Sequence, residues 1–256
     1  MDRQQIDRWT FVLMLSLLGS VFTWQLTKDR VSTPHATLNE TMPHRKIRVV
    51  PAANSLYSKE EMLYFQDIAF GSEHKLITAQ VRKWTKNINI RVEGQPTEED
   101  LLTLETTIGL LNSLQGQVEL SIGYFDTSLV VNFAPKSAFH ELHSQYKRSD
   151  PGFFWVSWID DVIYRGTILI DSTSEQSIRN SLLREELTQS LGLMNMSDSY
   201  ADSIFNDSNI RPDQELSDMD RLMVTILYRD DILPGMTEYE AMALISQITT
   251  SKEKRP

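Results

Sequence analysis

A polar run from Glu185 to Gln189 lies in a predicted helix in the second half of the chain. Glu185 and Gln189 are four residues apart, so they lie one turn apart on the same face of a helix. Glu186 lies about 100° around the helix from Glu185. A carboxylate in such a patch can act as a general base, and carboxylate oxygens can hold a hard cation. Three leucines fall towards the opposite side and are expected to face a core: Leu183, Leu187 and Leu191.

The spacing of this run resembles the metzincin peptidase pattern H-E-x-x-H-x-x-G-x-x-H, read from Glu185 to Asn195. Glu185, Gln189 and Asn195 stand where that pattern has its three zinc-binding histidines. Only Glu186, at the general-base position, and Gly192, at the chain-reversal position, match it. The resemblance implies a degenerate zincin active site.

Two downstream segments extend the resemblance. Ser203 to Phe205 stands where a metzincin often carries its Met-turn, with Phe in place of Met, and residues 216–228 look like the last helix of matrixin-type peptidases. The implied fold is a single α+β domain. It has a mixed twisted sheet, a long active-site-type helix and then C-terminal helices. The candidate catalytic residues are Glu186 and Gln189, and the candidate binding residues of the cleft are Glu185, Asn195, Ser203 and Phe205.

Five short segments carry a closer resemblance over about residues 57–243. They are 68–73, 82–84, 185–193, 202–205 and 233–236. Together they resemble the DUF2927 family, a bacterial family of uncharacterised proteins that are usually exported or anchored to a lipid or membrane. The combination is specific to that family. Because the family has no established activity, the resemblance implies a fold and a location but no reaction.

The replaced histidines bear on which cofactor the polar run could hold. Zinc prefers imidazole or thiolate ligands, so tight zinc binding is not expected. Ca²⁺ or Mg²⁺ tolerates carboxylate and amide oxygens, but Glu185, Gln189 and Asn195 would form a thin ligand set. We therefore expect no cofactor, with a divalent cation as the open alternative. A metal-free hydrolase with Glu186 as base and Gln189 as oxyanion donor also stays open. In the simplest interpretation, these side chains hydrogen-bond neighbouring loops in a fold that once bound metal.

Three further clusters carry weaker signals. The run His140 to His143 is one residue shorter than a zincin motif and is expected to form a solvated helix face. The acidic residues between Asp198 and Asp213 lack the spacing of a calcium loop and are expected on the surface. The aromatic run Phe153 to Trp158 alternates approximately. It is expected to be a buried strand, with a carbohydrate- or peptide-binding face as the alternative.

Capping signals and apolar periodicity predict the elements that position the polar run. Helices are expected to start after Ser58, Thr97, Ser217 and Thr237, and Ser58 and Thr237 each begin a capping box. The longest later helix is expected over about 174–191, closed by Gly192. A short helix is expected near 137–142, and strands over 87–92, 118–123, 129–133, 153–157 and 162–170. In metzincins the strand before the active-site helix forms the cleft edge. Val162 to Ile170, or its neighbour, would therefore let an extended peptide pair with it without being cut.

The N-terminus predicts a membrane anchor. Trp9 to Leu26 contains eighteen residues without a charge, which as a helix span roughly 27 Å, the thickness of a bilayer core. A cleaved signal peptide and a buried soluble helix are the alternatives. The predicted organisation is a short segment 1–8, a single span 9–26, a tether 27–55, a domain 56–250 and a charged tail 251–256. We expect the span in the inner (cytoplasmic) membrane and the domain on the periplasmic, extracytoplasmic side.

The composition excludes several classes of protein. The chain has 256 residues, no cysteine and a formal net charge of −10. Without cysteine there is no disulfide scaffold, thiolate zinc site, iron–sulfur cluster or cysteine nucleophile. The acidic balance argues against a nucleic-acid partner, which requires a clustered basic surface.

The sequence therefore predicts a non-catalytic binding or assembly module that uses the former substrate cleft. Its partner is expected to be an unidentified protein or an extended peptide segment. The alternative is a peptidase-like hydrolase that uses Glu186 with an oxygen-ligated metal or with Gln189. Replacing Glu186 by Gln separates the two, because it abolishes hydrolysis and leaves binding intact.

Overall fold

The computed structural model describes residues 55–71, 80–147, 150–206 and 211–247. The predicted N-terminal segment, the span over 9–26, the tether as far as residue 54 and the tail over 251–256 lie outside these ranges. Among the helices in these ranges, none combines the length and apolar character needed to cross a bilayer. The chain divides into two units, Met1–Arg45 and Lys46–Pro256, and all the described residues belong to the second.

Local capping sets where most helices begin. Ser58, Thr97, Ser217 and Thr237 each accept a hydrogen bond from the backbone three residues on, and the acidic residue there bonds back to the cap. These reciprocal bonds satisfy two donors that a helix start otherwise leaves unpaired. The four predicted helix starts are confirmed. The helices are α1 Lys59–Phe70, α2 Glu98–Leu114, α3 Phe139–Leu142, α4 Gln176–Gln189, α5 Asp218–Leu227 and α6 Glu238–Ser246.

The strands form one mixed sheet, as the sequence predicts. They are β1 Lys83–Trp84, β2 Ile88–Gly94, β3 Leu120–Ile122, β4 Leu129–Ala134, β5 Gly152–Ile159 and β6 Val162–Asp171. The order across the sheet is β3-β2-β4-β6-β5, and β1 pairs with the first two residues of β6. Only β5 runs antiparallel to its neighbour; the other pairs are parallel.

Most elements differ from their predicted bounds by one or two residues, and two of these differences have local causes. The strand expected from residue 118 begins at Leu120, because the Gln115 side chain accepts the backbone N–H of Gln117 and Val118. Those donors are therefore unavailable to a strand ladder. The short helix expected near 137–142 is divided into a 3₁₀ turn, Lys136–Ala138, followed by α3.

The main core lies between one face of the sheet and the helices. Leu183, Leu187 and Leu191 are fully buried in it, which confirms the predicted apolar side of α4. A second, smaller cluster covers the other face of the sheet near the end of β6, where Phe139 and Tyr146 pack on Leu169. The α4 helix is thus held against the sheet by its leucines.

Candidate functional site

Glu186 lies directly against the first residue of β5. Its side chain is 6% exposed, and a Cβ built on Gly152 would clash with its Oε1 atom. Glu185, one residue earlier, is only partly buried, and neither carboxylate is without a partner. The predicted general-base position therefore lies at the junction of α4 and β5. The glycine at the start of β5 leaves room for the carboxylate.

Gln189 and Asn195 use their amide donors within the fold. Gln189 is buried, and its Nε2 donates to the Met196 sulfur at 2.8 Å. Both the backbone N–H and the Nδ2 of Asn195 donate to the Ile68 carbonyl, at 3.1 and 3.0 Å. Asn195 therefore fastens the segment after α4 to the last turn of α1. Across the described ranges, no group of three or more histidine or acidic side chains is placed to hold a metal ion.

Ser203 and Phe205 lie beneath the surface in a buried hydrogen-bond network. Ser203 Oγ accepts a bond from the Tyr64 hydroxyl and donates to Asp220 Oδ1, both at 2.5 Å. The same oxygen accepts the Phe205 backbone N–H at 2.9 Å, and Asp220 Oδ2 accepts that of Ile204 at 3.1 Å. The network ties the 203–205 turn to both α1 and α5.

Tyr64 and Asp220 are the network members that the sequence did not single out. Burial raises the pKa of the Asp220 carboxyl, although hydrogen bonds from Ser203, Ile204 and Ser217 oppose this shift. Burial also raises the pKa of the Tyr64 hydroxyl, so it remains a proton donor to Ser203 at neutral pH. The spacing of Ser217 and Asp220 matches a capping box, and this sequence signal could have identified Asp220 as a hydrogen-bonded residue. No sequence signal points to Tyr64.

The end of α4 is buried, and aromatic side chains donate to the first two carbonyls beyond it. Trp84 Nε1 donates to the Ser190 carbonyl at 2.9 Å, and the Tyr228 hydroxyl donates to that of Leu191 at 3.0 Å. Gly192 then takes a φ of +125°, and a Cβ there would clash with the Arg82 carbonyl. The predicted glycine at the chain reversal is confirmed, because both the backbone angle and the close approach exclude a side chain.

The edge strand of the sheet next to α4 is β5, which is the neighbour of the predicted strand at 162–170. Asp171 N donates to Pro151 O at 2.8 Å, which defines a hydrogen-bonded pair in the antiparallel register. Bonded and non-bonded pairs alternate along an antiparallel ladder. The N–H and C=O groups of Gly152, Phe154 and Val156 therefore point away from β6. Among the described residues, β5 pairs with β6 alone.

The histidine run packs against aromatic side chains on the other face of β5. The ring centroid of His143 lies 5.2 Å from that of Phe153 and 5.7 Å from that of Trp155, and the His140 ring contacts Tyr146. The expectation of a solvated face is correct for His140, which is exposed, and wrong for His143, which is partly buried. Burial lowers the pKa of His143, so it is neutral at pH 7.

Replacing Gly152 by alanine tests the contact between β5 and Glu186. The added methyl group would displace the Glu186 carboxylate and crowd Leu182, and overpacking of this kind costs about 1–3 kcal/mol. Gly109 is the matched control, because its Cβ position on exposed α2 surface has no neighbour within 4 Å. Gly109→Ala is expected to stabilise the protein by about 0.5–1 kcal/mol. Urea denaturation measures both, and equal effects would contradict the described contact.

The comparisons with known proteins identify a family and no activity. A family model described as a protein of unknown function, DUF2927, matches residues 59–247. No curated protein matches the chain. The matched range runs from the first residue of α1 to just beyond α6, so it covers the whole described fold. The chain therefore belongs to the DUF2927 family.

Proposed function

We propose that this protein is a membrane-anchored, extracytoplasmic binding or assembly module that holds an extended segment of a partner protein along β5. The observation that carries the proposal is the edge of β5. Gly152, Phe154 and Val156 direct their backbone donors and acceptors away from the sheet beside α4. Outward N–H and C=O groups are a template for an added strand, and of these three residues Phe154 is the one that is not fully buried.

The hydrogen bonds of the two amides support binding rather than hydrolysis with Gln189 as the oxyanion donor. Two of the three residues at the histidine positions of the metzincin pattern donate their amide protons to other parts of the fold, Gln189 to Met196 and Asn195 to Ile68. An amide N–H that is committed in this way is not available to stabilise an oxyanion. We infer that these side chains now stabilise the segment after α4.

A metzincin-like ancestry accounts for the arrangement around the cleft. Glu186 lies on a helix that packs against the edge strand of a mixed sheet, and Gly192, three residues beyond that helix, keeps the motif spacing. The turn that contains Ser203 follows in the chain, and Ser203 donates a buried hydrogen bond to Asp220. This supports a peptidase-like domain whose substrate cleft is retained and whose metal site is lost.

One contact favours the second candidate, a hydrolase. The carboxylate of Glu186 lies beside Gly152, where an added strand would begin. A general base within reach of a bound peptide is a requirement of hydrolysis. This geometry makes Glu186 the residue to replace in any test of catalysis.

The test combines a random decapeptide display library with the full-length protein in detergent. Selected peptides are synthesised, measured for affinity and incubated with the wild type and with Glu186→Gln. We expect saturable binding, equal affinity in the variant and no cleavage products by mass spectrometry. Cleavage that the variant abolishes would establish the hydrolase, and a library without any saturable binder would remove the binding module.

Metal content gives an independent prediction. The full-length chain, purified without chelator or affinity metal, is expected to contain well below one equivalent of any divalent ion. EDTA is expected to leave its melting temperature unchanged, because the fold is held by hydrogen bonds and packing rather than by a cation. One equivalent of metal that is lost in Glu185→Ala would contradict this expectation. Elemental mass spectrometry and a thermal melt provide the measurements.

The proposed location depends on the uncharged segment Trp9 to Leu26. Its length suits a single crossing of the bilayer core. A protease-cleavable tag at the C-terminus distinguishes the topologies. In spheroplasts, an extracytoplasmic domain loses the tag to external protease, whereas a cytoplasmic domain keeps it until the membrane is broken.

A further inference from the structure

We propose that the loop between β3 and β4 is a membrane contact in addition to the N-terminal span. Its tip, Tyr124 and Phe125, inserts into the interface of a zwitterionic bilayer and determines which face of the domain lies on the membrane. The inference uses the membrane anchor of the proposed function and does not depend on pairing along β5. It rests on the position and exposure of the tip, the charges around it and the length of the predicted tether.

The loop crosses the face of the sheet opposite the main core, which is called the outer face below. Because β3 and β4 lie on either side of β2 and run parallel to it, the connection between them passes over β2. Ile88 and Ile90 are fully buried in the main core, so the Asn89 side chain between them points to the outer face. Its Nδ2 donates to the Asp126 carbonyl at 3.3 Å, which places the loop on that face.

The tip carries the two most exposed large hydrophobic side chains of the described residues. Tyr124 is 83% exposed and Phe125 is 87% exposed, and Ile122 at the end of β3 is exposed as well. Single exposed apolar side chains are normal in soluble proteins, whereas three within four residues form a patch that marks an interaction site.

Both ends of the loop are fixed to β2. The Gly123 N–H donates to the Ile90 carbonyl at 2.9 Å, and the Ser128 N–H donates to the Asn89 carbonyl at 3.0 Å. Asp126 takes a φ of +50°, a left-handed conformation that turns the chain directly after the tip. The two aromatic rings are thus presented together on a fixed loop, and aromatic side chains bury a large area at a low cost in conformational entropy.

The side-chain types suit the interface between lipid headgroups and hydrocarbon. Tyrosine combines an apolar ring with a polar hydroxyl and is enriched at that interface, and phenylalanine adds apolar area that is buried there. Trp155, which is 40% exposed, supplies a third ring on the outer face, because its neighbours Phe154 and Val156 pack on the main core. The outer face therefore has the aromatic composition of a membrane-interface surface.

The rest of the chain places a bilayer within reach of this loop. The predicted tether over 27–55 has 29 residues between the span and the domain. A coil of that length spans about 30 Å, and the fully extended chain spans at most about 100 Å. Both exceed the radius of gyration of about 16 Å that is expected for a domain of this size. Because the tether keeps the membrane at a high effective concentration, the tip needs little affinity of its own.

The charges around the tip favour an apolar contact over an electrostatic one. The charged side chains at the outward strand positions, directly before β3 and in the loop are Arg91, Glu93, Glu119, Asp126, Arg165 and Asp171. Arg91 pairs with Glu93 at 2.7 Å. The Asp171 carboxylate accepts the backbone N–H groups of Lys136 and Thr173. Two arginines and four carboxylates leave two net negative charges, against −10 for the whole chain. Anionic lipid does not attract such a face, so a zwitterionic bilayer is the surface that it suits.

The experiment uses the absence of cysteine from the chain, which allows a label at a single position. Ser121→Cys places the label on β3 beside the tip, and Glu105→Cys places it on the exposed side of α2. Each full-length protein is labelled with the environment-sensitive fluorophore NBD and reconstituted into phosphatidylcholine vesicles that contain doxyl-labelled lipid, which quenches fluorophores close to hydrocarbon. We expect about twofold stronger quenching at position 121 than at position 105, because only the first is held in the interface.

Replacing both Tyr124 and Phe125 by serine is expected to lower the quenching at position 121 to the level at position 105, because the apolar area that enters the interface is removed. Tyr239→Ser is the matched control. Tyr239 is 69% exposed but lies on α6, which packs on α1, so its removal is expected to leave the quenching unchanged. About 0.5 M salt is also expected to leave it unchanged, since salt screens charges and not apolar contacts. Thermal melts establish that the variants fold like the wild type.

The outcomes separate this inference from the proposed function. Equal quenching at positions 121 and 105 would overturn the inference alone, as would quenching that survives the double substitution or disappears in salt. A blue shift at position 121 that grows with protein concentration, without quenching by the doxyl lipid, would identify a second copy of this chain as the occupant and overturn the assignment of a bilayer. A peptide library without any binder would remove the binding module and leave these readings unchanged.

Discussion

Replacing Asp100 by alanine is expected to reduce the free energy of unfolding by about 3–5 kcal/mol, the cost of removing one partner of a buried ion pair. Asp100 is fully buried in the first turn of α2, where its Oδ2 pairs with the Arg179 guanidinium of α4. The same carboxylate accepts the Thr97 backbone N–H at 2.8 Å and the Gln176 amide at 2.7 Å. It therefore joins the N-terminal turns of two helices.

Without Asp100, Arg179 would remain buried without a counter-charge. Its remaining bonds, to Ser172 O and Thr97 Oγ1, are both 3.4 Å long, and its Nε already lacks a partner within the described residues. Urea denaturation measures the loss, and a double variant with Arg179→Met is expected to recover much of it. Glu105→Ala, on the exposed side of the same helix, is the control and should change stability by no more than about 0.5 kcal/mol. A loss below about 1 kcal/mol in Asp100→Ala would contradict the described pair.

The free energy of unfolding of the wild type is expected to increase, relative to that of Lys83→Met, by about 2 kcal/mol between neutral pH and pH 10.5. This figure allows for screening by solvent. Lys83 is 1% exposed in β1. Its Nζ donates to Gln117 Oε1 at 2.8 Å and to the carbonyls of Leu227 and Arg229 at 3.2 and 3.4 Å. It thereby satisfies carbonyls at the C-terminal end of α5.

Burial lowers the pKa of Lys83 from 10.5 to about 8, although Asp230 and Asp231 oppose the shift. Below pH 8 the amine is charged in both states, and the folded protein bears the full cost of burying it. Between pH 8 and 10.5 the folded state loses the proton first, so the unfolded state binds more protons. Stability then rises with pH, because its slope follows that difference in bound protons.

Lys83→Met has no proton to release and therefore lacks this rise. Lys86→Met is the matched control, because Lys86 is exposed two residues beyond β1, and its pH profile should run parallel to that of the wild type. The measurement is the midpoint of urea denaturation at a series of pH values. If the profiles of the wild type and Lys83→Met were parallel, the described burial of the amine would be wrong.

Several features of the fold could be predicted from short stretches of sequence because their causes are local. A helix start depends on a hydroxyl and a carboxylate three residues apart, so Ser58 and Thr237 are informative by themselves. The core side of α4 follows from leucines one turn apart. Gly192 follows from the need for a positive φ at a chain reversal. The five segments by which the sequence resembles the family are also short.

The environment of the polar run could not be predicted in this way. The sequence identifies Gln189, Asn195 and Ser203 as cleft candidates by their spacing. The structure places the amide of Asn195 on a carbonyl 127 positions earlier and the hydroxyl of Ser203 on a tyrosine 139 positions earlier. No motif marks Tyr64, and the family segment that begins at Ile68 does not indicate that Asn195 binds it, because a hydrogen bond depends on where the chain returns in space.

The sequence by itself determined the family, the helix starts, the apolar side of α4 and the two motif positions, Glu186 and Gly192. Only the tertiary structure decided that β5 rather than the strand at 162–170 is the edge, and which of its backbone groups face outwards. It also decided that Lys83 and Arg179 are buried. Local patterns record the preferences of neighbouring residues, whereas edges, buried charges and clefts arise from the packing of segments that are distant in the chain.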